Sequence, residues 1–254
     1  MFRFPGGKNK LRNEILSFLN FSDREYREPF FGGGSIGLAL LKKKKTKIWI
    51  NDKDYGIYCI WISVIKYHEL LKEKVKRFIP GVEIFSEFKQ DLLNKKEDVI
   101  DTAFKKLVVH QLSYSGLGTK GGPLGGKNQS SEYKIDCRWS ADYLCKKIDE
   151  NNNLLNEAKC TNYDFEKLLG NDCFIFLDPP YYKKGNQLYQ CEFSEQDHIR
   201  LSECLKKIDN WVLSYDDCEE IRNLYRWARI ENLDVNYTIN NVKKRKELLI
   251  LSER

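Results

Sequence analysis

Histidine is scarce and cysteine is scattered in this sequence, and both facts argue against a zinc site. The chain holds three histidines and eight cysteines. No two cysteines form a C-x₂-C or C-x₄-C pair, the kind of spacing that zinc sites use. Several cysteines lie in apolar-periodic stretches, as small buried side chains of a reducing compartment do. We therefore predict no metal site.

Long apolar runs are also missing. No stretch approaches the roughly 18 residues of a membrane span. The opening residues, MFRFPGGKNK, lack the apolar core and the cleavage site of a signal peptide. These absences lead us to expect a cytoplasmic protein with no membrane partner.

The composition describes a soluble globular chain with a slight excess of positive charge. Of its 254 residues, 41% are apolar and 31% are charged, and the net charge is +6. This length suits one α/β domain with an insertion, or two modest domains. The charge allows a polyanionic partner, but ordinary surface lysines explain it equally well.

The periodicity of the sequence predicts a parallel sheet that is interrupted by helices. Residues 26–66 alternate strand, glycine turn, helix, strand and helix. Residues 67–138 carry helical pieces and a long loop with six glycines between Gly116 and Gly126. Loops of that length in compact domains are usually functional or mobile. The α/β alternation resumes at Ser140 and ends in two adjacent strands.

Two motifs near the N-terminus indicate a nucleoside-containing cofactor. In PFFGGGS a predicted strand runs into glycines and a helix, which allows close approach of a ligand to the backbone. Alone, the same pattern describes a tight turn without ligand. Asp52 ends the next strand about 20 residues on, where an acid can accept the hydroxyls of a ribose. The pair of motifs does not say which cofactor binds.

The stretch FLDPPY ends an apolar run with an acid, two prolines and an aromatic ring. Pro179 and Pro180 have fixed φ and no N–H, so the turn is stiff and its carbonyls remain acceptors. Asp178 adds a carboxylate, and Tyr181 adds a flat ring. Acceptors beside a stacking surface suit a planar ring that bears an amino group. The alternative is a rigid turn with an incidental tyrosine.

DPPY with an upstream FGGGS resembles the AdoMet-dependent amino-methyltransferases of DNA, and the motif order resembles their Dam-like, D12 class of N6-adenine enzymes. The segment FRFPGGKNKL is similar to the family motif that closes over the cofactor, although Phe4 stands where tryptophan or tyrosine is common. NYDF is similar to the motif that holds the cofactor's adenine. The resemblance covers residues 1–60 and 155–254.

The resemblance implies an α/β fold: a Rossmann-like, seven-stranded AdoMet-dependent methyltransferase sheet, mostly parallel, with a reversed final strand. Residues 1–66 and 139–254 would form the AdoMet-binding catalytic domain. Residues 67–138 would form an inserted, mainly helical target-recognition domain that binds DNA.

The same resemblance assigns S-adenosyl-L-methionine (AdoMet) as cofactor. Its methionine part would lie against the glycine turn, its ribose on Asp52 and its adenine on Asp164 and Phe165. Asp178 would border both cofactor and substrate. The remaining cofactor-binding residues would be Phe4, Gly7, Lys8, Phe30, Gly32, Gly34 and Ser35.

The substrate implied is an adenine flipped out of double-stranded DNA. Tyr181 would stack on the base, while Asp178 and the carbonyl of Pro179 accept the hydrogens of N6 and Pro180 stiffens the turn. The methyl group would pass directly, without a covalent enzyme intermediate. A cognate restriction endonuclease would share the DNA sequence without contacting the chain, which we expect to be a monomer.

The basic and amide side chains of the long loop are candidates for reading the DNA sequence. They are Lys120, Lys127, Asn128, Gln129 and Arg138; a flexible loop that touches only phosphates or water is the alternative. The basic turn NNVKKRK, residues 240–246, is a candidate phosphate contact. We interpret His110 and His198 as structural.

Other functions are disfavoured by single residues. N4-cytosine methyltransferases often carry Ser in place of Asp178, and methyltransferases of RNA or of protein glutamine commonly carry Asn, although Asp178 argues only weakly against RNA. A catalytically inactive DNA-binding relative would be expected to have a damaged DPPY or glycine motif. A nicotinamide-dependent oxidoreductase would leave DPPY unexplained.

Overall fold

The computed structural model describes most of the chain. It covers residues 1–252 except 3, 5, 20–23, 95–97, 184–192 and 236–244; at residues 234, 235, 245 and 246 only the backbone is described. The basic turn at 240–246 and Cys191 therefore lie largely or wholly outside the described residues, as does Pro5.

The strands of the described residues form one sheet of seven. They are β1 (Glu25–Glu28), β2 (Ile48–Asn51), β3 (Lys159–Thr161), β4 (Cys173–Leu177), β5 (Trp211–Asp216), β6 (Arg229–Val235) and β7 (Arg245–Leu251). The spatial order is β3-β2-β1-β4-β5-β7-β6. Strand β7 is antiparallel to both of its neighbours, and the other pairs are parallel. The predicted fold class, including the reversed last strand, is confirmed.

Helices connect and cover these strands. They are α1 (Arg12–Phe18), α2 (Gly37–Lys43), α3 (Tyr55–Lys66), α4 (His68–Arg77), α5 (Val82–Asn94), α6 (Val99–Leu112), α7 (Ala141–Leu155), α8 (Glu195–Leu205) and α9 (Glu219–Leu224). Four begin at side-chain caps that satisfy free N–H groups of the first turn. Asp54 caps α3, Asp98 caps α6, Ser140 caps α7, and Ser194 forms a capping box with Asp197 at α8.

Strand β4 shows why the sheet is covered on both faces. All five of its residues are buried, as expected for a central parallel strand. Because side chains alternate along a strand, Phe174 and Phe176 pack into one apolar cluster. Cys173, Ile175 and Leu177 pack into the other. The sheet therefore separates two apolar layers.

The helices of residues 67–138 share the core of the sheet. Leu71 of α4, Phe85 of α5 and Leu107 of α6 belong to the same apolar cluster as Ile57 and Ile60 of α3. The helical content expected of this segment is present. The core is continuous across residue 67, however, so the division of the chain into two domains stays a prediction.

The sequence pattern predicts a helix from about Ser35 that ends in Lys42–Lys45, and another helix over FEKLL. Helix α2 instead begins at Gly37 and ends at Lys43. Phe165–Leu168 forms a 3₁₀ turn rather than an α-helix. The glycine-rich loop contains 3₁₀ turns at Tyr114–Gly116 and Gly118–Lys120.

Candidate active site

A cavity opens at the carboxyl ends of β1, β2 and β4, where the strand order changes direction. It holds about 1250 Å³ of space, counting its open mouth. Such a crevice is where open α/β sheets bind ligands. The predicted residues that line it are Phe4, Gly7, Lys8, Phe30, Gly32, Ser35, Asp52, Asp164, Phe165, Asp178 and Pro180. Gly34, Pro179 and Tyr181 do not line it.

The glycine turn after β1 is packed tightly against aromatic side chains. Gly32 and Gly34 have φ of +48° and +70°, a region that side chains disfavour. A Cβ on Gly32 would stand 2.6 Å from the Phe4 ring, and one on Gly34 would stand 2.9 Å from the Phe31 ring. The indole N–H of Trp61 donates to the carbonyl of Gly32 at 2.8 Å. Phe4 of the N-terminal motif thus packs directly on the glycine turn.

Asp52 ties the end of β2 to this turn. Its Oδ2 accepts from the Gly32 N–H at 2.8 Å, and its Oδ1 accepts from the Asp54 N–H at 2.9 Å. Burial, and next the charge of Asp54, raise the pKa of Asp52 to about 7, although both backbone hydrogen bonds oppose the shift. A carboxylate has about four acceptor sites, so Asp52 retains capacity for further donors.

Asn51 organises the ends of three neighbouring chain segments, a role that the sequence analysis missed. Its Nδ2 donates to the carbonyls of Pro29 and Tyr163, at 3.0 and 3.1 Å. Its Oδ1 accepts from the Thr161 hydroxyl and from the Tyr163 N–H, at 2.8 and 2.7 Å. A buried amide at the end of a predicted strand was the available signal, because such a group needs partners.

Asp178 forms a buried ion pair with Lys8 across 170 residues of sequence. The Nζ of Lys8 donates to both carboxylate oxygens, at 2.6 and 2.8 Å, and to the carbonyl of Gly6 at 3.1 Å. The Lys8 side chain is 2% exposed and that of Asp178 is 20% exposed. The same Nζ lies 4.6 Å from the centre of the Tyr181 ring. DPPY and the N-terminal motif thus meet around an amino group.

Burial raises the pKa of Asp178 to about 6, and the charge of Lys8 limits that rise. A carboxylate leaves water at a cost unless a cation or hydrogen-bond donors compensate it. Lys8 therefore favours the ionised form of Asp178, the form that accepts hydrogen bonds at both oxygens.

Asp164 and Phe165 line the cavity together with Arg200 of α8. Arg200 donates to both oxygens of Asp164, at 2.9 and 3.2 Å. Burial alone would raise the pKa of Asp164, but hydrogen bonding by Arg200 helps to hold that pKa below its usual value. The Arg200 guanidinium lies 4.3 Å from the centre of the Phe165 ring. Phe165 also packs with Phe30 and Phe193, with centroids 5.7 and 5.9 Å away. This corner offers apolar rings beside a carboxylate.

Helix α6 contributes to the cavity, although its residues were predicted to belong to the DNA-recognition part. Lys106 is buried, lines the cavity and pairs with Asp54 at 2.6 Å. His110 also lines it, with Nδ1 3.0 Å from the carbonyl of Gly116. Leu117 and Thr119 of the following loop complete this wall. A lysine inside an apolar helical stretch was the signal that the sequence analysis missed.

The predicted DNA-binding residues of the long loop lie on the surface. Lys120, Lys127, Asn128 and Arg138 are all exposed. Gln129 differs, because its side chain holds the loop together: Nε2 donates to the carbonyls of Leu124 and Gly126, and Oε1 accepts from the Ile135 N–H. Gln129 thus stabilises the loop in this structure, and its part in reading bases stays a prediction.

Two further buried groups flank the site. Glu28 lines the cavity, accepts from the Tyr26 hydroxyl at 2.9 Å and has a pKa that burial raises well above its usual value. His198 lies outside the lining; its Nδ1 is 2.6 Å from the Tyr215 hydroxyl, and burial lowers its pKa to about 4. His198 is thus a neutral, packed side chain near pH 7.

One group of potential metal ligands occurs among the described residues, at His68, Glu69 and Asp149. Lys72 lies 2.8 Å from Glu69 and 2.7 Å from Asp149. The Lys72 ammonium already pairs with both carboxylates, so the group gives no support for a metal site. Within the part of the chain that the structure describes, no helix combines the length and the apolar character required to cross a bilayer.

Comparison with known proteins agrees with this geometry. Three relatives are type II methyltransferases: M.CviBI of Paramecium bursaria Chlorella virus NC1A, M1.LlaDCHI of Lactococcus lactis subsp. cremoris and M.MjaIII of Methanocaldococcus jannaschii. Their identities to this chain are 22%, 24% and 25%, over 88%, 93% and 82% of it. The alignments cover 85%, 87% and 79% of the relatives.

A family model matches nearly the whole chain, over residues 4–239. It describes the D12 class N6 adenine-specific DNA methyltransferases, which confirms the resemblance drawn from the DPPY and glycine motifs. The protein belongs to this family of D12 class N6 adenine-specific DNA methyltransferases.

Proposed function

We propose that this enzyme transfers a methyl group from AdoMet to N6 of an adenine that has been flipped out of double-stranded DNA. A base that stays stacked inside the duplex cannot reach the cavity, and flipping the base out of the duplex costs roughly a few kcal/mol. The type II methyltransferase relatives support a role beside a cognate restriction endonuclease that does not contact this chain. We propose that the chain acts as a monomer in the cytoplasm. The seven described cysteines form no disulfide, which is the state that a reducing compartment favours.

The observation that carries the proposal is the position of the Lys8 amino group. Its Nζ donates to both oxygens of Asp178 and lies over the Tyr181 ring at 4.6 Å. The site therefore already binds an N–H donor between a carboxylate and an aromatic face. An adenine with N6 on Asp178 and its ring on Tyr181 would make the same two kinds of contact, after displacing Lys8.

The residues of the cavity fit AdoMet. Asp52 stands at the end of β2 with unused acceptor capacity for ribose hydroxyls, since each oxygen accepts one backbone N–H. Phe30 and Phe165 provide apolar faces for an adenine, with Asp164 next to them. Gly32 and Ser35 also line the cavity, and the methionine portion would lie against them. When bound, AdoMet supplies a methyl group on a positively charged sulfur.

The chain's own contribution is position and electrostatics. Asp178 and the carbonyl of Pro179 would accept the two hydrogens of N6, which directs the nitrogen lone pair out of conjugation with the ring. The stiff Pro179–Pro180 turn would keep these acceptors in place. No covalent enzyme intermediate is required, so none of the eight cysteines needs to act as a nucleophile.

A transfer assay tests the proposal. The protein is incubated with methyl-labelled AdoMet and unmethylated genomic DNA, and the product is read by single-molecule sequencing. We expect N6-methyladenine at one short recurring sequence. Label on cytosine N4, on RNA alone, or on neither nucleic acid would overturn the assignment, and the wild-type recognition sequence follows from the same data.

Arg138 provides a test of the recognition surface. Its side chain is exposed at the end of the long loop, and its carbonyl is held by Gln111 Nε2 at 2.8 Å. We expect Arg138→Ala to lower the preference for the correct DNA sequence by about 5- to 150-fold, which is the range for one base contact. AdoMet affinity should stay unchanged.

The matched control is Arg77→Ala, which removes another exposed arginine, at the end of α4 and outside the cavity lining. Binding is measured against cognate and non-cognate duplexes at two salt concentrations. A uniform loss on both duplexes with a smaller salt slope would reassign Arg138 to phosphate. Loss of AdoMet affinity alone would contradict its place in recognition.

A further inference from the structure

A lysine of the segment that was predicted to recognise DNA reaches the cavity. Lys106 of α6 is buried and lines the cavity. Its Nζ donates to Oδ2 of Asp54, the cap of α3, at 2.6 Å. Neither the proposed binding of AdoMet nor that of the base uses this cation. Burying a cation costs free energy even when it is paired, which points to a role beyond packing.

Gly56 leaves room for the Lys106 side chain. It lies in the first turn of α3, where a Cβ would stand 2.7 Å from Cδ and 3.0 Å from Cγ of Lys106. Alanine would favour the helix more than glycine does, because glycine loses more backbone freedom on folding. The path of the lysine stem therefore accounts for a glycine at this position.

Asp54 connects this lysine to Asp52. Its Oδ1 accepts from the N–H groups of Gly56 and Ile57, at 2.9 and 3.2 Å, and so caps α3. Its own N–H donates to Oδ1 of Asp52 at 2.9 Å. Lys106, Asp54 and Asp52 thus form a chain of contacts that ends at the carboxylate proposed to bind the ribose.

Asp52 and Asp54 are neighbouring acids, and Lys106 compensates their negative charges. Burial, and next the charge of Asp54, raise the pKa of Asp52, whereas the charge of Lys106 lowers it. Burial also opposes ionisation of Asp54, but Lys106 holds the pKa of Asp54 below its usual value. Both carboxylates therefore ionise more readily with Lys106 in place.

Other titratable groups also surround the two carboxylates. They include Glu28 of β1, Cys160 of β3, Lys53, Asp164 and, on α6, His110. Burial raises the pKa of Glu28 and of Cys160, which favours their uncharged forms. Lys53 is exposed, so water and salt screen its charge. Lys106 is a buried cation that acts on both carboxylates.

We propose that Lys106 is a positioning residue for AdoMet, which acts through Asp54 to keep the Asp52 carboxylate ionised and in place for the ribose hydroxyls. The inference rests on the proposed function, because it needs the ribose of AdoMet on Asp52. Apolar side chains would join α3 and α6 at least as well, since replacing a buried ion pair by well-packed apolar residues is often neutral or stabilising. The particular contribution of the ion pair is its charge beside the cavity.

Three variants of the full chain test this role: Lys106→Met, Asp54→Asn and the two combined. AdoMet binding is measured by calorimetry between pH 5.5 and 9. The readout is the midpoint, the pH at which the association constant is half of its value at high pH. For the wild type we expect a midpoint near the pKa of Asp52, about 7.

The single variants should move the midpoint in opposite directions. In Lys106→Met, Asp54 keeps two backbone hydrogen bonds at the start of α3, where negative charge is favoured, so the extra proton binds Asp52. The midpoint should rise by about one pH unit, the lower end of the effect of a neighbouring opposite charge, and binding at pH 7 should weaken about fivefold. Asp54→Asn keeps a good helix cap and removes a like charge, so its midpoint should fall.

The combined variant replaces a charged pair by a neutral one and should return the midpoint close to that of the wild type. A purely structural role for the ion pair predicts no such reversal. If Lys106→Met does not fold, the downward shift in Asp54→Asn and its reversal in the combined variant test the same inference.

Lys105→Met is the matched control. Lys105 is the adjacent residue of α6 and pairs with the buried Asp91 at 2.5 Å, but it lies outside the cavity lining. This variant should lose thermal stability while its midpoint stays at the wild-type value. A midpoint that moves as far in Lys105→Met as in Lys106→Met would overturn the inference.

The remaining outcomes separate the inference from the proposed function. Shifts of the same sign in Lys106→Met and Asp54→Asn, or a wild-type affinity that does not change between pH 6 and 8, would contradict the inference. If the wild type binds no AdoMet, the proposed function itself has failed. If the wild type binds AdoMet with a midpoint near 7 and Lys106→Met has the same midpoint, only the role of Lys106 has failed.

Discussion

Replacing Asp178 with alanine is expected to lower methyl transfer to DNA by at least about 100-fold, the range for loss of one oriented electrostatic group in an active site. The carboxylate would accept the N6 hydrogens, and no other acid of the DPPY turn can replace it. AdoMet should still bind, because the proposed ribose and adenine contacts, Asp52 and Phe165, follow other strands. Single-turnover transfer of labelled methyl to the cognate duplex measures the effect.

The ion pair with Lys8 complicates this variant and supplies its control. Asp178→Ala leaves the ammonium of Lys8, whose side chain is 2% exposed, without its carboxylate. Removing one partner of a buried pair destabilises a protein by about 3–5 kcal/mol. We expect Lys8→Met with Asp178→Ala to regain part of the lost thermal stability while remaining inactive. A stable double variant with turnover within tenfold of that of the wild type would contradict the proposed role of Asp178.

The sequence was sufficient for the fold because the decisive signals are local. Strand β4 reads as five consecutive apolar residues, and β2 likewise ends an apolar run at Asn51. Parallel strands end at the same edge of a sheet, so the motifs that follow them had to converge. Gly32, Asp52 and Asp178 could therefore be brought together from sequence pattern alone.

The pairing of Lys8 with Asp178 could not be foreseen in the same way. The two residues are 170 positions apart, and no periodicity connects an N-terminal loop to a strand end. The contacts of Gln129 within its own loop could not be foreseen for a related reason, since a loop amide is equally suited to a DNA base and to its own backbone. Its three contacts within the loop depend on the path that the backbone takes between Leu124 and Ile135.

The position of α6 beside the cavity also became known only from the tertiary structure. Its sequence predicts a helix, but only packing shows that Lys106 reaches Asp54 beside the cofactor cavity. A helix of the segment that was predicted to recognise DNA thus also forms a wall of the cavity. That segment and the sheet that carries the cavity share one continuous apolar core.

The second large effect is expected at Asp52, as a dependence of AdoMet affinity on pH. Its pKa is raised to about 7 by burial and by Asp54. Ribose hydroxyls donate best to the ionised carboxylate, so cofactor binding favours loss of the proton. Affinity should therefore be constant above pH 8 and fall as the pH drops through 7, to about tenfold weaker at pH 6. Calorimetric titration of AdoMet between pH 5.5 and 8.5 measures this dependence.

Three variants assign the dependence to one carboxylate. Asp52→Asn should bind AdoMet weakly with no pH dependence near 7, because it cannot ionise. Asp164→Asn should weaken binding yet keep the dependence, since Arg200 contributes to holding the pKa of Asp164 below its usual value. Asp178→Asn removes another cavity carboxylate with a raised pKa, about 6, and should leave the fall near pH 7 intact. If Asp52→Asn retained that fall, or the wild type bound equally well at pH 6 and 8, Asp52 could not be the group whose charge holds the ribose.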